Sequence, residues 1–519
     1  MSLLNFPPLR DDLSECYAIQ DVHGRLSQGS MQDINEFMRI NLKDYPLLDK
    51  AKLQTMQQSM SQGNLQNAFR QPTPIEKMSK IARIWNRQGT SGIVGYMVGG
   101  NENKLGKLMR SVSFGFIAPM EDIEKAAEID SIYEECCSTL NWKSNWIRCV
   151  AWHPRGTRMA ACQPSDYIRI FKIGEVNASP LTLQHPRQKN VSSMAWQGFE
   201  QSILAVGCKD CVLIWRIPPQ TTTSRLPTSC AQIIEDPSFS PVTDLFWDEA
   251  NYTSLFICSA GSSRVQMYDI LSQSQASISC GDRAARLYPS KTGGKILVTL
   301  MNNTIKVFDK LDWTYEKWGD LSGRCNAAAW TNDESYLLFT TTKERFLFYI
   351  RFNQRGNTSR TFGNSFASVA FDLSEVLMTD MDGDISDRAV GGYVKNMIMS
   401  DDGNRLAISF QDNPKHIALF MINTERALQI IPATFIEAPE FGVATHISFV
   451  PEFPNGTMLC IVWSEGKMQY IPLAYGRKHK GFLYTSYASL NCSSIIGGLP
   501  ATTSQTVESR EIIVPFWEK

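Results

Sequence analysis

The chain has 519 residues. That is room for one large domain with flanks, or for two to four domains of about 100–200 residues each. An apolar fraction of 43% supports a sizeable core, and 33 Gly with 24 Pro lie well below collagen-like or low-complexity levels. With 51 Lys and Arg against 52 Asp and Glu the net charge is −1, which argues against nucleic acid as the main partner and excludes an acidic solvating tail.

Residues 1–10 carry two prolines and no apolar core of a signal peptide. The 13 Cys are odd in number and have no framework spacing, so a reducing compartment is expected and the sequons at Asn190, Asn251 and Asn455 read as chance matches. The longest weak apolar stretch, residues 91–99, is shorter than the roughly 18 residues a membrane helix needs.

Residues 1–140 read as a mostly helical extension. Cys16-Tyr17-Ala18-Ile19, within residues 14–20, is a candidate strand that would close a ring by pairing with the last of the repeat units that follow. The Gln-rich and Ser-rich stretch 54–71 reads as loop. Pro72 and Pro74 then introduce an amphipathic helix through Ile75, Met78, Ala82 and Trp85. Leu105, Leu108, Val112 and Phe116 make a second apolar stripe, which is either core or a partner-contact face. Ile123, Ala127 and Tyr133 lie on a third candidate helix.

From 141 to 473 one unit recurs. A short apolar strand ends in an aromatic, a polar turn leads to a second strand, and a tight turn leads to a third strand ending in an aromatic. The first strands end at Trp152, Trp196, Trp247, Tyr288, Trp330, Met399 and Phe449, at steps of 44, 51, 41, 42, 69 and 50. The third strands carry Phe171, Trp215, Tyr268, Phe308, Tyr349, Phe420 and Tyr470. A period of about 40–45 residues with several strands per unit predicts a WD40-type β-propeller, an all-β fold. Seven blades are expected, or six if the sixth unit is misread, with the largest inserted loop between Tyr349 and Met399.

Each unit is a small sheet that cannot bury both faces alone, and radial stacking covers them. Trp152, Trp196, Trp215, Trp247, Tyr268 and Trp330 therefore read as interblade packing residues rather than a ligand-stacking box. Gly156, Gly403 and Asn455-Gly456 supply turns between first and second strands. Asp269 and Asp309 are the nearest equivalents of the WD-repeat aspartate. Residues 474–519 read as a flexible Ser-, Thr- and Gly-rich tail.

No string carries recognisable chemistry. The six His are not paired at metal-ligand spacing, and Cys208-Lys209-Asp210-Cys211 lacks two further ligands for zinc. Cys136-Cys137 reads as a partly buried pair on a helix. Asp380, Asp382 and Asp384 open like a calcium loop, but Ile385 and Gly391 stand where Gly and Glu are needed. Residues 100–107 fail as a phosphate loop on spacing and on Leu108. Arg477-Lys478-His479-Lys480 is a small basic cluster that reads as a solvated linker. The expectation is a non-enzyme with no cofactor and no metal.

Several strings resemble the aladin family of WD-repeat nucleoporins. They include Val150-Ala151-Trp152-His153-Pro154, Cys211-Val212-Leu213-Ile214-Trp215, Ser229-Cys230-Ala231-Gln232, Ser322-Gly323-Arg324-Cys325 and Asp372-Leu373-Ser374-Glu375, in family order across the propeller. Asn5-Phe6-Pro7-Pro8 and Asn141-Trp142 are similar too. The resemblance implies a peripheral scaffold of the nuclear pore complex, held at the nuclear envelope by a transmembrane nucleoporin beside other nucleoporins. It also implies support of nucleocytoplasmic protein transport and a link to the mitotic spindle. Phe114-Gly115, Phe362-Gly363 and Phe441-Gly442 are too sparse for a barrier-forming nucleoporin. The alternative is a WD40 adaptor of another assembly, such as a ubiquitin ligase substrate receptor.

Overall fold

A computed structural model describes residues 2–5, 17–22, 25–30, 44–64, 145–175, 179–198, 203–218, 224–236, 240–354, 361–374, 376–379, 385–438, 442–453 and 456–475. Before the repeats come β1 (Ser2–Asn5), β2 (Tyr17–Val22), β3 (Arg25–Ser30) and α1 (Lys50–Asn64). Blade one is β4 (Cys149–Trp152), β5 (Arg158–Cys162), β6 (Ile168–Lys172) and β7 (Leu181–Leu183). Blade two is β8 (Ser193–Trp196), β9 (Ile203–Gly207), β10 (Val212–Arg216) and β11 (Ala231–Ile234). Blade three is β12 (Val242–Trp247), β13 (Ser254–Ser259), β14 (Arg264–Asp269) and β15 (Gln275–Ser279). Blade four is β16 (Ala284–Pro289), β17 (Lys295–Leu300), β18 (Ile305–Asp309) and β19 (Tyr315–Trp318). Blade five is β20 (Cys325–Trp330), β21 (Tyr336–Thr341) and β22 (Phe346–Gln354), with β23 (Thr361–Gly363) and β24 (Ser368–Asp372) sharing the outer place. The hairpin β25 (Val376–Thr379) and β26 (Ile385–Val390) follows. Blade six is β27 (Val394–Met399), β28 (Arg405–Phe410), β29 (His416–Asn423) and β30 (Gln429–Glu437). Blade seven is β31 (Ala444–Val450), β32 (Gly456–Trp463) and β33 (Met468–Tyr475).

Among the described residues the strands form seven sheets, one per blade. First strands contact first strands around a closed ring, β4 to β8, β12, β16, β20, β27, β31 and back to β4. Second strands such as β5, β9, β17, β21 and β28 are buried at every residue. A sheet covered on both faces favours continuous apolar runs over in–out alternation, as in Lys295–Leu300. Seven apolar clusters result, each lying at one seam between successive blades.

Two sheets take in strands from the other end of the chain. Strand β2 pairs in parallel with β33 (Ile19 opposite Leu473) and antiparallel with β3, so residues from both chain ends share blade seven. Strand β1 lies parallel to β30 and to β25, which attaches the β25–β26 hairpin to blade six. The long step before the sixth unit is thus an insertion that widens the sheet of blade six to seven strands.

The expectation of a mostly helical extension over residues 1–140 is not supported. Its described residues are three strands joined to ring sheets and one helix. That helix covers residues 50–64, where the sequence reading placed a loop from residue 54. Leu, Met, Gln, Lys and Ala are good helix formers, and Asp49 caps the first turn by accepting from the Lys52 N–H at 2.7 Å. The candidate helices built on Ile75, Leu105 and Ile123 lie outside the described residues, as does the proposed tail beyond residue 475.

Register also corrects the fourth unit. Pro289, not Tyr288, stands level with Trp247 and Trp330, because each pairs with the matching residue of its second strand (Ile296, Leu255 and Leu337). Counting from one aromatic to the next misplaces this strand by one residue.

Candidate functional site

The first strands of five consecutive blades share one irregularity. Each skips a pairing step at the same place: Val242/Asp244, Ala284/Arg286, Cys325/Ala327, Val394/Asn396 and Ala444/His446. A bulge re-aims side chains, and here it gathers polar groups around the ring axis. The Ser193 hydroxyl donates to Asp244 Oδ1 at 3.3 Å, and the Leu287 N–H of the next blade donates to Oδ2 at 3.1 Å. Tyr288 donates to the Asn326 carbonyl at 3.5 Å, and Asn326 donates in turn to the Val394 carbonyl at 2.5 Å. Lys395 Nζ donates to the Ala444 carbonyl at 2.9 Å. These bonds run from blade two to blade seven.

Electrostatics inside this girdle are unusual. Burial, with Arg286 and Lys395 adding positive charge, pushes the His446 imidazole down to about 4. Burial alone pushes Lys395 down to about 8. The Asp244 carboxyl is raised by burial, against hydrogen bonds and the Arg286 charge that pull it down. Arg286 belongs to blade four and His446 to blade seven, so part of the charge acting on this imidazole comes from a blade that is not its neighbour.

The indoles singled out in the sequence lie at the seams. Trp196 donates to the Ala151 carbonyl at 3.1 Å, Trp247 to Ala195 at 2.9 Å and Trp330 to Tyr288 at 3.0 Å. In each case the acceptor is the next-to-last residue of the preceding blade's first strand. Trp152 reaches the same place in blade seven, donating to the Ser448 hydroxyl at 3.2 Å. Trp215 is fully buried and donates to Gln188 Oε1 at 3.2 Å. Tyr268 is half-buried, and its hydroxyl accepts from Gln232 at 3.4 Å. Leu105, Leu108, Val112 and Phe116 lie outside the described residues.

A second feature is the seam between blades seven and one. Residues 44–57 cross it as a clasp. The Pro46 carbonyl accepts from Tyr470 at 3.0 Å, the Leu48 carbonyl from the Met468 N–H at 3.1 Å and the Met56 carbonyl from Arg169 at 2.7 Å. Leu53 is buried at this seam with Leu48, Val150 and Met468. A cleft of about 340 Å³ lies beside the clasp, walled by Tyr45, Leu47 and Met56 on one side and by Arg158, Phe171 and Leu181 on the other.

Elsewhere the chemistry is structural. Asp269 accepts from the Ser272 and Leu271 N–H groups and from the Thr253 hydroxyl, and these bonds hold its carboxyl below the usual range. Asp309 accepts from the Leu311 N–H and pairs with Lys295. Cys208 and Cys211 face each other across a tight turn, with the Cys208 N–H on the Cys211 carbonyl at 2.9 Å, and both are buried. Among the described residues no three His, Cys, Asp or Glu are gathered as for a metal ion, and no helix is long and apolar enough to cross a membrane. Cys136-Cys137, residues 100–107, Asp380 to Asp384 and Arg477 to Lys480 lie outside the described residues. Large apolar side chains stay exposed on the turns of blades three and four, at Leu271, Leu311 and Trp313.

Three solved structures illustrate what this chain is similar to. The β-propeller domain of Myceliophteria thermophila Cps50 (Swd1) is 12% identical, covers 63% of this chain and 97% of its own, and gives a TM-score of 0.47. The WD40 domain of Toxoplasma gondii coronin is 13% identical, with 64% and 82% covered and a TM-score of 0.46. A chain of a mitotic checkpoint complex is 14% identical, with 65% and 88% covered and a TM-score of 0.46. The family model described as the aladin seven-bladed propeller matches residues 128–474, a span that takes in all seven blades. With that match over more than half its length, this chain belongs to the aladin seven-bladed propeller family, a family of nucleoporin-type scaffolds.

Proposed function

We propose that this chain is a non-enzymatic scaffold of the nuclear pore complex, held at the nuclear envelope by a transmembrane nucleoporin and in contact with other nucleoporins. It supports nucleocytoplasmic transport of protein cargo and acts at the spindle in mitosis. Membership of the aladin propeller family carries this reading. Two features of the ring agree with it. Trp196, Trp247 and Trp330 are spent on seams rather than on a ligand pocket, and exposed Leu271, Leu311 and Trp313 offer apolar surface to a protein partner. Membrane association in this reading is indirect, through the anchor.

Imaging of a tagged copy in dividing cells tests it. The expected signal is a nuclear rim in interphase that disperses when the transmembrane anchor is depleted, with spindle signal in mitosis. A diffuse signal without a rim, with ubiquitin ligase subunits recovered on the tagged chain, would replace this reading by the adaptor one.

A further inference from the structure

The cleft beside the clasp holds a cation without a matching anion. Arg158 opens β5, level with Lys172 on β6, and lines the cleft. It is only 6% exposed. Among the described residues its guanidinium makes no hydrogen bond and no ion pair. Glu175 is the carboxylate that acts on it, and Glu175 is engaged by Lys172 at 3.2 Å. Lys52, on the clasp side, donates to the Leu47 carbonyl at 2.8 Å. The charged residues of the walls are Lys52, Arg158 and Lys172 against Asp44 and Glu175, so one positive charge is in excess. A guanidinium has five N–H donors and keeps its proton, so burying it without an acceptor is costly.

The remainder of the cleft is apolar and already built. Tyr45 packs against Tyr470 and Trp152, with ring centroids 5.4 and 6.5 Å apart. Phe171 and Leu181 form the facing wall. About 340 Å³ lies at the small end of ligand pockets, room for one large side chain and the chain beside it. Ser179 and Lys52 are exposed at the rim, so a polypeptide can enter from solvent. We propose that this cleft docks a short acidic segment of a protein partner, seating one Leu, Phe or Trp between Tyr45 and Leu181 and a neighbouring Asp or Glu carboxylate on Arg158. Paired N–H bonds from one guanidinium would orient the segment, and the apolar side chain would supply the buried area. The two walls belong to the clasp and to blade one, so an occupant would also hold residues 44–57 to the ring. The site does not rest on placement at the nuclear pore, and it would serve an adaptor of another assembly equally well.

Blocked hexapeptides with Leu, Phe or Trp followed by Asp or Glu, and Ser or Gly elsewhere, are screened against the full chain by fluorescence anisotropy at physiological ionic strength. The best of them is expected to saturate one site and to slow hydrogen exchange in residues 44–57. Its Asn or Gln counterpart should bind about tenfold more weakly or worse, and so should the acidic peptide on Arg158→Gln. Ser179→Trp, which fills the mouth from an exposed position, should remove binding. Arg158→Gln takes away an unmatched buried charge, so its thermal midpoint without peptide should equal or exceed that of the unsubstituted chain. A lower midpoint would make Arg158 a structural residue and overturn the proposal. So would failure of every peptide to bind, equal affinity for acidic and amide peptides, or unchanged binding to Arg158→Gln. N-acetyl-leucine binding where the peptides do not would replace it by a small-molecule site. None of these results bears on the nuclear rim, which imaging reads separately.

Discussion

Trp196 donates its indole N–H to the Ala151 carbonyl across the seam between blades one and two, at 3.1 Å. The bond recurs from Trp247 to Ala195 and from Trp330 to Tyr288, so one side chain type performs one task around the ring. Removing the donor leaves a carbonyl without this partner in a water-poor seam. Trp196→Phe is therefore expected to cost about 1–3 kcal/mol, read as a lower urea midpoint with little change in slope. Trp313→Phe, on an exposed turn, is expected to stay within about 0.5 kcal/mol of the unsubstituted chain. Equal midpoints for the two variants would remove the seam bond from the account.

Two glycines separate backbone strain from crowding. Gly156 has φ +61°, and a Cβ there would stand 2.6 Å from the Pro451 carbonyl oxygen of blade seven. Gly174 has φ +87° with open space around it. Gly174→Ala should lose about 1 kcal/mol from the left-handed backbone alone. Gly156→Ala should lose clearly more, because a backbone atom cannot yield as a side chain does. Thermal unfolding of both variants decides this, and a larger loss at Gly174 would contradict it.

The clasp of residues 44–57 gives a local prediction. Leu53 is buried between blades seven and one. Leu53→Ala should cost about 2–5 kcal/mol by cavity formation. Hydrogen exchange should quicken first in β4, β5, β32 and β33, the strands of that seam. A loss spread evenly over all blades would show that the clasp does not close the ring.

His446 sets a pH dependence whose sign can be worked out. Its ordinary value of 6.5 falls to about 4 in the fold, through burial and then through Arg286 and Lys395. Between those values the unfolded chain binds the extra proton and the folded chain does not. The stability tied to neutral His446 is complete above pH 6.5, declines as pH falls, and is lost once pH passes below about 4. The slope is at most about 1.4 kcal/mol per pH unit. Urea midpoints of a His446→Gln variant should be flatter across this window than those of the unsubstituted chain. Parallel curves would place the titration elsewhere.

Much of the ring was legible because a blade is a local object. Its strands are adjacent in sequence, so Trp152, Trp196, Trp247 and Trp330 recur at countable intervals. Counting slipped at Tyr288, since Pro289 takes the tryptophan's place in that strand and the nearest aromatic stands one residue earlier. It also mistook residues 54–64 of α1 for loop, because Gln-rich sequence reads as polar linker until Leu53 has a seam to enter.

By itself the sequence determined the repeat, the all-β class and the family, since each blade's apolar runs and turns lie within about 45 residues. Tertiary structure alone decided the rest. It set the parallel direction and the register (Ile19 opposite Leu473) of the strand near Tyr17 that the sequence had offered for ring closure, and it placed β1 between blade six and its added hairpin. Asp244, Arg286, Lys395 and His446 belong to four different repeats and share no motif. Their first strands share a bulge at the same place, and circular closure is a property of the whole ring that no single repeat encodes.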